Sequence, residues 1–237
     1  HYARITNKNN SYQLKVGLDN NKDQSYFLYL LGQNQLAKSL FPLGGITKDE
    51  VRNIAKKEGL ITANKKDSTG ICFIGERNFS EFLETYLPKQ QGNIVNHKGK
   101  FIKHHQGLAF YTIGQRKGLE IGGGFGDSDE PWFVADKKIK SNELVVVQGD
   151  HELLYHNYLE ASNEHWIDKR PKLPLNCTAK IRYRQKSQNC TIKSSNNGYL
   201  SVLFDKPQRA ITPGQSIVFY DEEICIGGGI IETRGNN

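Results

Sequence analysis

No run of apolar residues in this sequence approaches the ~18 that a membrane-spanning helix needs. No positively charged start followed by an apolar stretch appears at the beginning, so a secretory leader is not expected either. Methionine is absent altogether, and the chain opens His1-Tyr2-Ala3-Arg4. That opening is expected of a chain that begins inside a longer protein or has been trimmed. Cysteine is sparse: four residues, at 72, 177, 190 and 225, with no Cys-x-x-Cys pair. A disulfide framework and a cysteine-rich metal site are therefore not expected, and a reduced, cytoplasmic protein fits this usage.

What is present is ordinary globular material with a basic bias. Of 237 residues, 24% are charged and 37% hydrophobic, enough for one large domain or two to three small ones. The formal net charge is +7, which points to a polyanionic partner.

The early chain mixes strands and helices. Tyr2, Arg4 and Ile5 lead into a polar turn at 7–10, and Tyr12, Leu14 and Val16 then alternate with Gln13 and Lys15. A loop at 17–21 precedes Lys22-Asp23-Gln24 and a helix expected from about Gln24 to Leu31. Thr47-x-x-Glu50 has the spacing of a capping box, Val51, Ile54 and Ala55 are expected to make a buried apolar stripe, and Gly59 supplies a stop. A further helix is expected after Asn78, with Phe79, Phe82, Leu83, Tyr86 and Leu87 at helical spacing and Pro88 closing it.

Between those two helices lies Asp67-Ser68-Thr69-Gly70-Ile71-Cys72-Phe73-Ile74-Gly75, with Lys65 and Lys66 just upstream. Neighbouring positive charge favours a thiolate, the reactive form. Flanking glycines let a ligand come close. The competing reading is a small buried hydrophobe in an Ile-Cys-Phe-Ile run.

From residue 89 the helical period stops. Ile94-Val95, Phe101-Ile102, Phe110 to Ile113, Trp132 to Val134 and Leu144 to Val147 read as short strands. His104-His105 would point to opposite faces of a strand, which argues against a metal site. Gly122-Gly123-Gly124-Phe125-Gly126 lacks the Lys-Ser/Thr of a phosphate loop. Residues 156–237 are all-β by pattern, with turns at Asn197-Gly198 and Thr212-Pro213-Gly214, which suggests a small closed barrel. Cys177, Cys190 and Cys225 fall among apolar strand neighbours and are read as packing residues. Lys180, Arg182 and Arg184 alternate with Ile181 and Tyr183, so one strand face should carry three cations. Such a face with a nearby tyrosine can hold phosphate and stack a base.

An ordered set of segments resembles the bacterial tRNA-specific 2-thiouridylases. It comprises Lys22-Asp23-Gln24-Ser25-Tyr26-Phe27, the Asp67 to Gly75 stretch, Gly114-Gln115-Arg116-Lys117-Gly118, Arg182-Tyr183-Arg184, Thr212-Pro213-Gly214-Gln215 and Gly227-Gly228-Gly229. The resemblance implies a multidomain α/β plus β protein. Residues 1–88 would be the tail of a PP-loop ATP-pyrophosphatase domain, 89–155 a small β-rich central domain, and 156–237 an all-β barrel. It implies replacement of the C2 oxygen of the tRNA wobble uridine by sulfur, with ATP and Mg2+ as cofactors and a persulfide-donating sulfur-relay protein as partner. It makes Cys72 the persulfide cysteine, and His1, Lys22, Asp23, Gln24, Arg182, Tyr183 and Gln215 tRNA contacts. The family's Ser-Gly-Gly-x-Asp-Ser loop and first catalytic cysteine are not in this sequence. This chain alone is thus expected to bind tRNA without thiolating it. Two other classes compete: a non-catalytic RNA-binding module with a translation-factor-like barrel, and a cysteine hydrolase. The first gives Cys72 no task. The second would need a histidine base from His1 or from His97 onward, since no histidine lies between Tyr2 and Asn96.

Overall fold

The computed structural model describes residues 1–65, 84–122, 125, 128–194 and 198–237. The chain forms two compact units. The first gathers His1–Lys65, Asn157–Pro207 and Thr212–Asn237; the second gathers Lys66–His156 and Gln208–Ile211.

In the first unit the opening alternation does form a hairpin. Strand β1 (Ala3–Lys8) pairs antiparallel with β2 (Ser11–Val16), from Ala3 opposite Val16 to Lys8 opposite Ser11. Asn9 and Asn10 make the turn with φ of 52° and 60°, the left-handed values that a two-residue hairpin loop needs and asparagine tolerates. Helix α1 (Ser25–Leu28) is shorter than the pattern suggested, and α2 (Gln33–Leu36) follows it. The turns around α1 close at three-residue spacing: Phe27 N–H donates to Gln24 O at 3.0 Å and Leu31 N–H to Leu28 O at 3.0 Å. That tighter winding puts residues i and i+3 in line, which suits Tyr26 and Tyr29.

Helix α3 (Lys48–Lys57) has the expected cap. Thr47 Oγ1 accepts from Glu50 N–H at 3.3 Å, and Glu50 Oε2 accepts from Thr47 N–H at 2.6 Å. Its end is a Schellman motif. Gly59 (φ +67°) donates to Lys56 O at 3.1 Å and Leu60 N–H to Ala55 O at 2.9 Å. The apolar stripe is not buried as expected: Val51 and Ala55 are half-buried and Ile54 is 53% exposed. Capping chemistry is local and readable, whereas burial of a stripe depends on what packs against it.

The barrel consists of β7 (Tyr155–Trp166), β8 (Leu175–Lys180), β9 (Gln188–Ser194), β10 (Leu200–Arg209), β11 (Ser216–Asp221) and β12 (Ile224–Gly235). The strands run β12-β11-β8-β9-β10-β7, and β7 pairs back onto β12, so six strands close. Near its start β12 also pairs with β2, Ile224 opposite Lys15 and Cys225 opposite Leu14, which adds the hairpin to the sheet. Gly227-Gly228-Gly229 sits where β12 lies between β11 and β7. A Cβ at Gly228 would run into Ile217 O and the Tyr29 ring, so only glycine lets α1 close on the barrel there. One core joins hairpin, helices and barrel: Ala3, Leu14, Tyr26, Leu28, Tyr29, Leu36, Ile167, Val218, Tyr220 and Cys225. Each fully buried leucine there is worth roughly 1.5–3 kcal/mol.

The second unit carries a four-stranded sheet in the order β4-β3-β6-β5. Its strands are β3 (Gly92–Asn96), β4 (Phe101–His105), β5 (Trp132–Lys138) and β6 (Glu143–Gln148). Only β3 and β6 run parallel. Leu144 and Val146 join a core with Ile94, Ile102 and Val134, while Val147 packs with Ala135 and Leu154, so β6 is buried on both faces. The strand expected at Phe110 to Ile113 is instead a 3₁₀ turn at Leu108–Phe110 and an irregular segment. Gly107 (φ +148°) and Gly114 (φ +80°) break the pleat, yet Tyr111 and Ile113 still reach the core.

Candidate functional site

Several of the predicted contact residues of the first unit flank α1, and the chemistry can be followed outward from Asp23. Its side chain is almost fully buried. Oδ1 accepts from Gly17 N–H at 3.0 Å and Ser25 N–H at 3.1 Å. Oδ2 accepts from Ser25 Oγ at 3.0 Å and from Lys180 Nζ at 2.9 Å. The Lys180 ammonium in turn lies 4.8 Å from the Tyr220 ring centroid, and Ser25 Oγ is 3.2 Å from Tyr220 Oη. A buried carboxylate is tolerable when its lone pairs are met in this way.

Gln24 grips the start of the chain. Its Oε1 accepts from Tyr2 N–H at 3.0 Å and its own N–H donates to Tyr2 O at 2.9 Å. His1 is exposed, with its ring edge toward Phe41 at 6.2 Å. Lys22 is half-buried, and its N–H donates to Asp19 O at 2.9 Å.

On the other side of α1, the Phe27 ring lies 4.6 Å from Tyr183. Arg184 stands 5.3 Å above the Tyr183 ring. Tyr26 Oη donates to Ser216 O at 2.8 Å, and Tyr29 Oη lies 3.1 Å from Ser216 Oγ. Burial first, then Tyr29, pushes the Tyr26 phenol up to about 12, while the Arg182 guanidinium pulls the other way. Gln215, the residue before Ser216, closes the Thr212-Pro213-Gly214 turn by donating from N–H to Thr212 O at 3.2 Å. Gly214 at φ +85° fits position three of a type II turn. Tyr183, Ser216 and Tyr220 thus meet one short helix.

The cationic strand face does not form as expected. Strand β8 ends at Lys180, residues 181–184 turn, and Arg184 takes φ +65°. Gln185 stabilises that turn by accepting from Ile181 N–H at 2.9 Å through Oε1. Lys180 points into the unit toward Asp23, with only 13% of its side chain exposed. Strand alternation signalled three equivalent cations; tertiary pairing separates Lys180 from the other two. Lys180, Ser25 and Tyr220 were therefore missed as a group. No local signal distinguishes Lys180, since its partner is far away in the sequence.

Cys72 and the stretch around it lie outside the described residues, as does the expected helix after Asn78 up to residue 83; Tyr86 and Leu87, expected on its apolar face, are exposed. Cys190 and Cys225 are buried and Cys177 is half-buried, in keeping with packing roles. Cys177 and Cys190 face each other across β8 and β9 with their sulfurs 3.8 Å apart. A cavity of about 320 Å³ lies beside Ser11, Trp166, Asp168, Cys177 and Cys225, and none of the predicted contact residues lines it. His104 is exposed and His105 buried, as alternation implies. Gly107 N–H donates to His105 Nδ1 at 3.0 Å, and Nε2 lies 3.1 Å from Asn142 O. Those partners describe a structural, neutral imidazole. Among the described residues no group of three His, Cys, Asp or Glu could hold a metal ion, and no helix is long and apolar enough to cross a membrane.

The described chain is a six-stranded barrel extended by a hairpin and short helices, with a second unit built on a four-stranded sheet. A family model described as "tRNA methyl transferase HUP domain" matches residues 1–76, one described as "tRNA methyl transferase PRC-barrel domain" matches 80–148, and one described as "Aminomethyltransferase beta-barrel domain" matches 156–231. The tRNA-specific 2-thiouridylase MnmA of Vesicomyosocius okutanii is 72% identical over 234 residues, 99% of this chain and 65% of that protein. Those of Ruthia magnifica and Hydrogenovibrio crunogenus are 70% and 57% identical, over 64% and 62% of their lengths and 99% of this chain. The chain belongs to the tRNA-specific 2-thiouridylase family. It spans just under two-thirds of the length of these relatives.

Proposed function

We propose that this chain is the tRNA-binding and sulfur-delivering part of a tRNA 2-thiouridylase acting in the cytoplasm. The observation that supports the reading most is that α1 and its flank hold three distant segments: Gln24 bonds Tyr2, Phe27 packs on Tyr183, and Tyr26 bonds Ser216, the neighbour of Gln215. Lys22 and Arg182 supply positive charge for phosphates there, and Tyr183 a ring for stacking. Asp23 serves the RNA through position, since its oxygens are already engaged by Gly17, Ser25 and Lys180. A target base inside a folded tRNA must leave its stack to be modified.

Cys72 is proposed to carry sulfur as a persulfide. Its terminal sulfur forms the new bond to uridine C2 as the activated oxygen leaves. A second cysteine then attacks Cys72 Sγ, which forms a disulfide and releases the thiouridine. The second cysteine is proposed to lie in sequence that this chain does not contain. Activation of the oxygen is the chemistry ATP supplies. No Ser-Gly-Gly-x-Asp-Ser loop is present here to hold its phosphates, so none of the described residues is assigned to ATP or Mg2+. A sulfur-relay protein is the proposed source of the persulfide.

All three family-model descriptions name a methyl or aminomethyl transferase, but that reading leaves Cys72 idle. The test is direct. The chain is incubated with ATP, tRNA and a persulfide donor, and thiouridine is read by mercury-gel retardation. Binding without product is expected; measurable product overturns the division of labour. In the full-length protein, Cys72→Ser should abolish sulfur transfer and leave tRNA affinity unchanged, because a hydroxyl cannot carry a persulfide. Near-normal turnover would return Cys72 to a packing role.

A further inference from the structure

We propose that Gly114-Gln115-Arg116-Lys117-Gly118, in the second unit, is an RNA-backbone contact at which Arg116 and Lys117 each meet a phosphate. It rests on the tRNA-binding reading above and adds a contact outside the first unit.

The loop is built to hold its shape. Ile113 before it and Leu119 after it are buried in the core of the unit. Gly114 and Gly118 take φ of 80° and 79°, conformations that strain other residues. Gly114 N–H donates to Val134 O at 2.7 Å, and Val134 N–H donates to Gln115 O at 3.0 Å, which pins the loop to β5. The Gln115 side chain ties it from within. Its Oε1 accepts from Thr112 N–H at 2.8 Å and its Nε2 donates to Lys117 O at 2.8 Å.

This frame displays two adjacent cations. Arg116 and Lys117 are exposed, and neither makes an ion pair among the described residues. Glu120 is nearby, but Lys103 is its partner at 4.0 Å. Arg116 also borders a cavity of about 290 Å³ walled by Glu120, Asp129 and Glu130. Two like charges side by side on a rigid loop repel each other unless an anion bridges them. A fixed loop also spares most of the ordering cost that flexible side chains incur on binding, roughly 0.5–1.5 kcal/mol each. A guanidinium fork and an ammonium both suit phosphate oxygens. The exposed loop residues are Thr112, Arg116, Lys117 and Gly118, with no apolar or aromatic anchor of the kind protein interfaces use. The chemistry therefore favours a polyphosphate backbone over a protein face.

The test is a tRNA titration of this chain across a salt series, comparing wild type with Arg116→Ala/Lys117→Ala. The pair should weaken binding roughly tenfold at low salt and flatten the slope of log affinity against log salt by about 1.4–1.8 units, the share of two phosphates. Gln115→Ala keeps both charges but unties the loop, so affinity should fall with less change of slope. Melting temperature, read by circular dichroism, should be unchanged for the alanine pair. If it drops, the glutamine pair, which keeps the side-chain stems, is read in its place. Wild-type affinity and slope in the double variant overturn the proposal alone. A wild-type chain that binds no tRNA overturns both it and the reading it rests on. Unchanged tRNA binding with lost retention of an acidic protein would overturn it too, in favour of a protein-docking loop.

Discussion

Lys180 Nζ lies 2.9 Å from Asp23 Oδ2, joining two residues 157 positions apart in the chain. Both side chains are largely shielded, at 13% and 5% exposed. The pair fastens the loop that carries Lys22 and Gln24 to barrel strand β8.

Removing either partner should be costly. Lys180→Met leaves a buried carboxylate with only neutral donors, and a loss of about 3 kcal/mol is expected, the low end for breaking a buried pair. Asp23→Ala should cost more. It strips acceptors from Gly17 N–H, Ser25 N–H and Ser25 Oγ as well as from Lys180. Urea unfolding of each variant measures this. A loss under about 0.5 kcal/mol for Lys180→Met would rank the pair with exposed surface bridges and remove its anchoring role.

Local chemistry was legible in the sequence and long-range pairing was not. Thr47, Glu50 and Gly59 announced both ends of α3, because a capping box and a left-handed stop are set by residues a few positions apart. The hairpin around Asn9-Asn10 and the short apolar runs at Ile94-Val95 and Leu144 to Val147 were readable for the same reason. Ile54 was read as buried and is exposed, since periodicity names a face without naming what covers it. Lys180 was read as one of three surface cations. Its burial depends on Asp23 and Tyr220, neither of which a strand pattern can see. The contact residues came from a resemblance of ordered motifs. That Tyr183 packs on Phe27 and Gln24 bonds Tyr2 is visible only in the fold.

The three described cysteines should differ in reactivity. Burial pushes the Cys225 thiol well above its ordinary value, and the Cys177 thiol hydrogen bond, followed by burial, does the same to Cys190. Cys177 is half-buried and borders two cavities. Iodoacetamide at neutral pH should label Cys177 at least tenfold faster than Cys190 or Cys225, as read by peptide mass spectrometry. Rapid labelling of Cys225 in the folded chain would show that its strand opens and would remove it from the core.

His105 should make the second unit acid-sensitive. Burial, opposed by the bond to Asn142, lowers its pKa, and His104 lowers it further. The Tyr111 ring also lies against it at 5.9 Å. The unfolded chain takes up a proton near the ordinary value of about 6.5, and the folded chain only at lower pH. The stability conferred by the neutral ring is therefore fully present above about pH 6.5 and is lost as pH falls from there through the lower folded value. Melting curves between pH 7.5 and pH 5 should show the decline, and His105→Gln should flatten it. An equal acid slope in the variant would assign the sensitivity to other groups.

Arg182 is the cation of the turn after β8 that should matter most for RNA. If Arg182 meets a phosphate, Arg182→Ala should weaken binding to all tRNAs alike and flatten the salt slope by roughly 0.7–0.9. Lys22→Ala should behave in the same way. Lys180→Met acts through Asp23 and the loop it anchors, so it should lower affinity while leaving the salt slope at the wild-type value. Binding is measured well below each variant's melting temperature, so that unfolded protein does not contribute. A flattened slope in Lys180→Met would mean that its ammonium leaves Asp23 to meet RNA. An unchanged slope in Arg182→Ala would take that arginine out of the interface and leave Tyr183 as the contact of the turn.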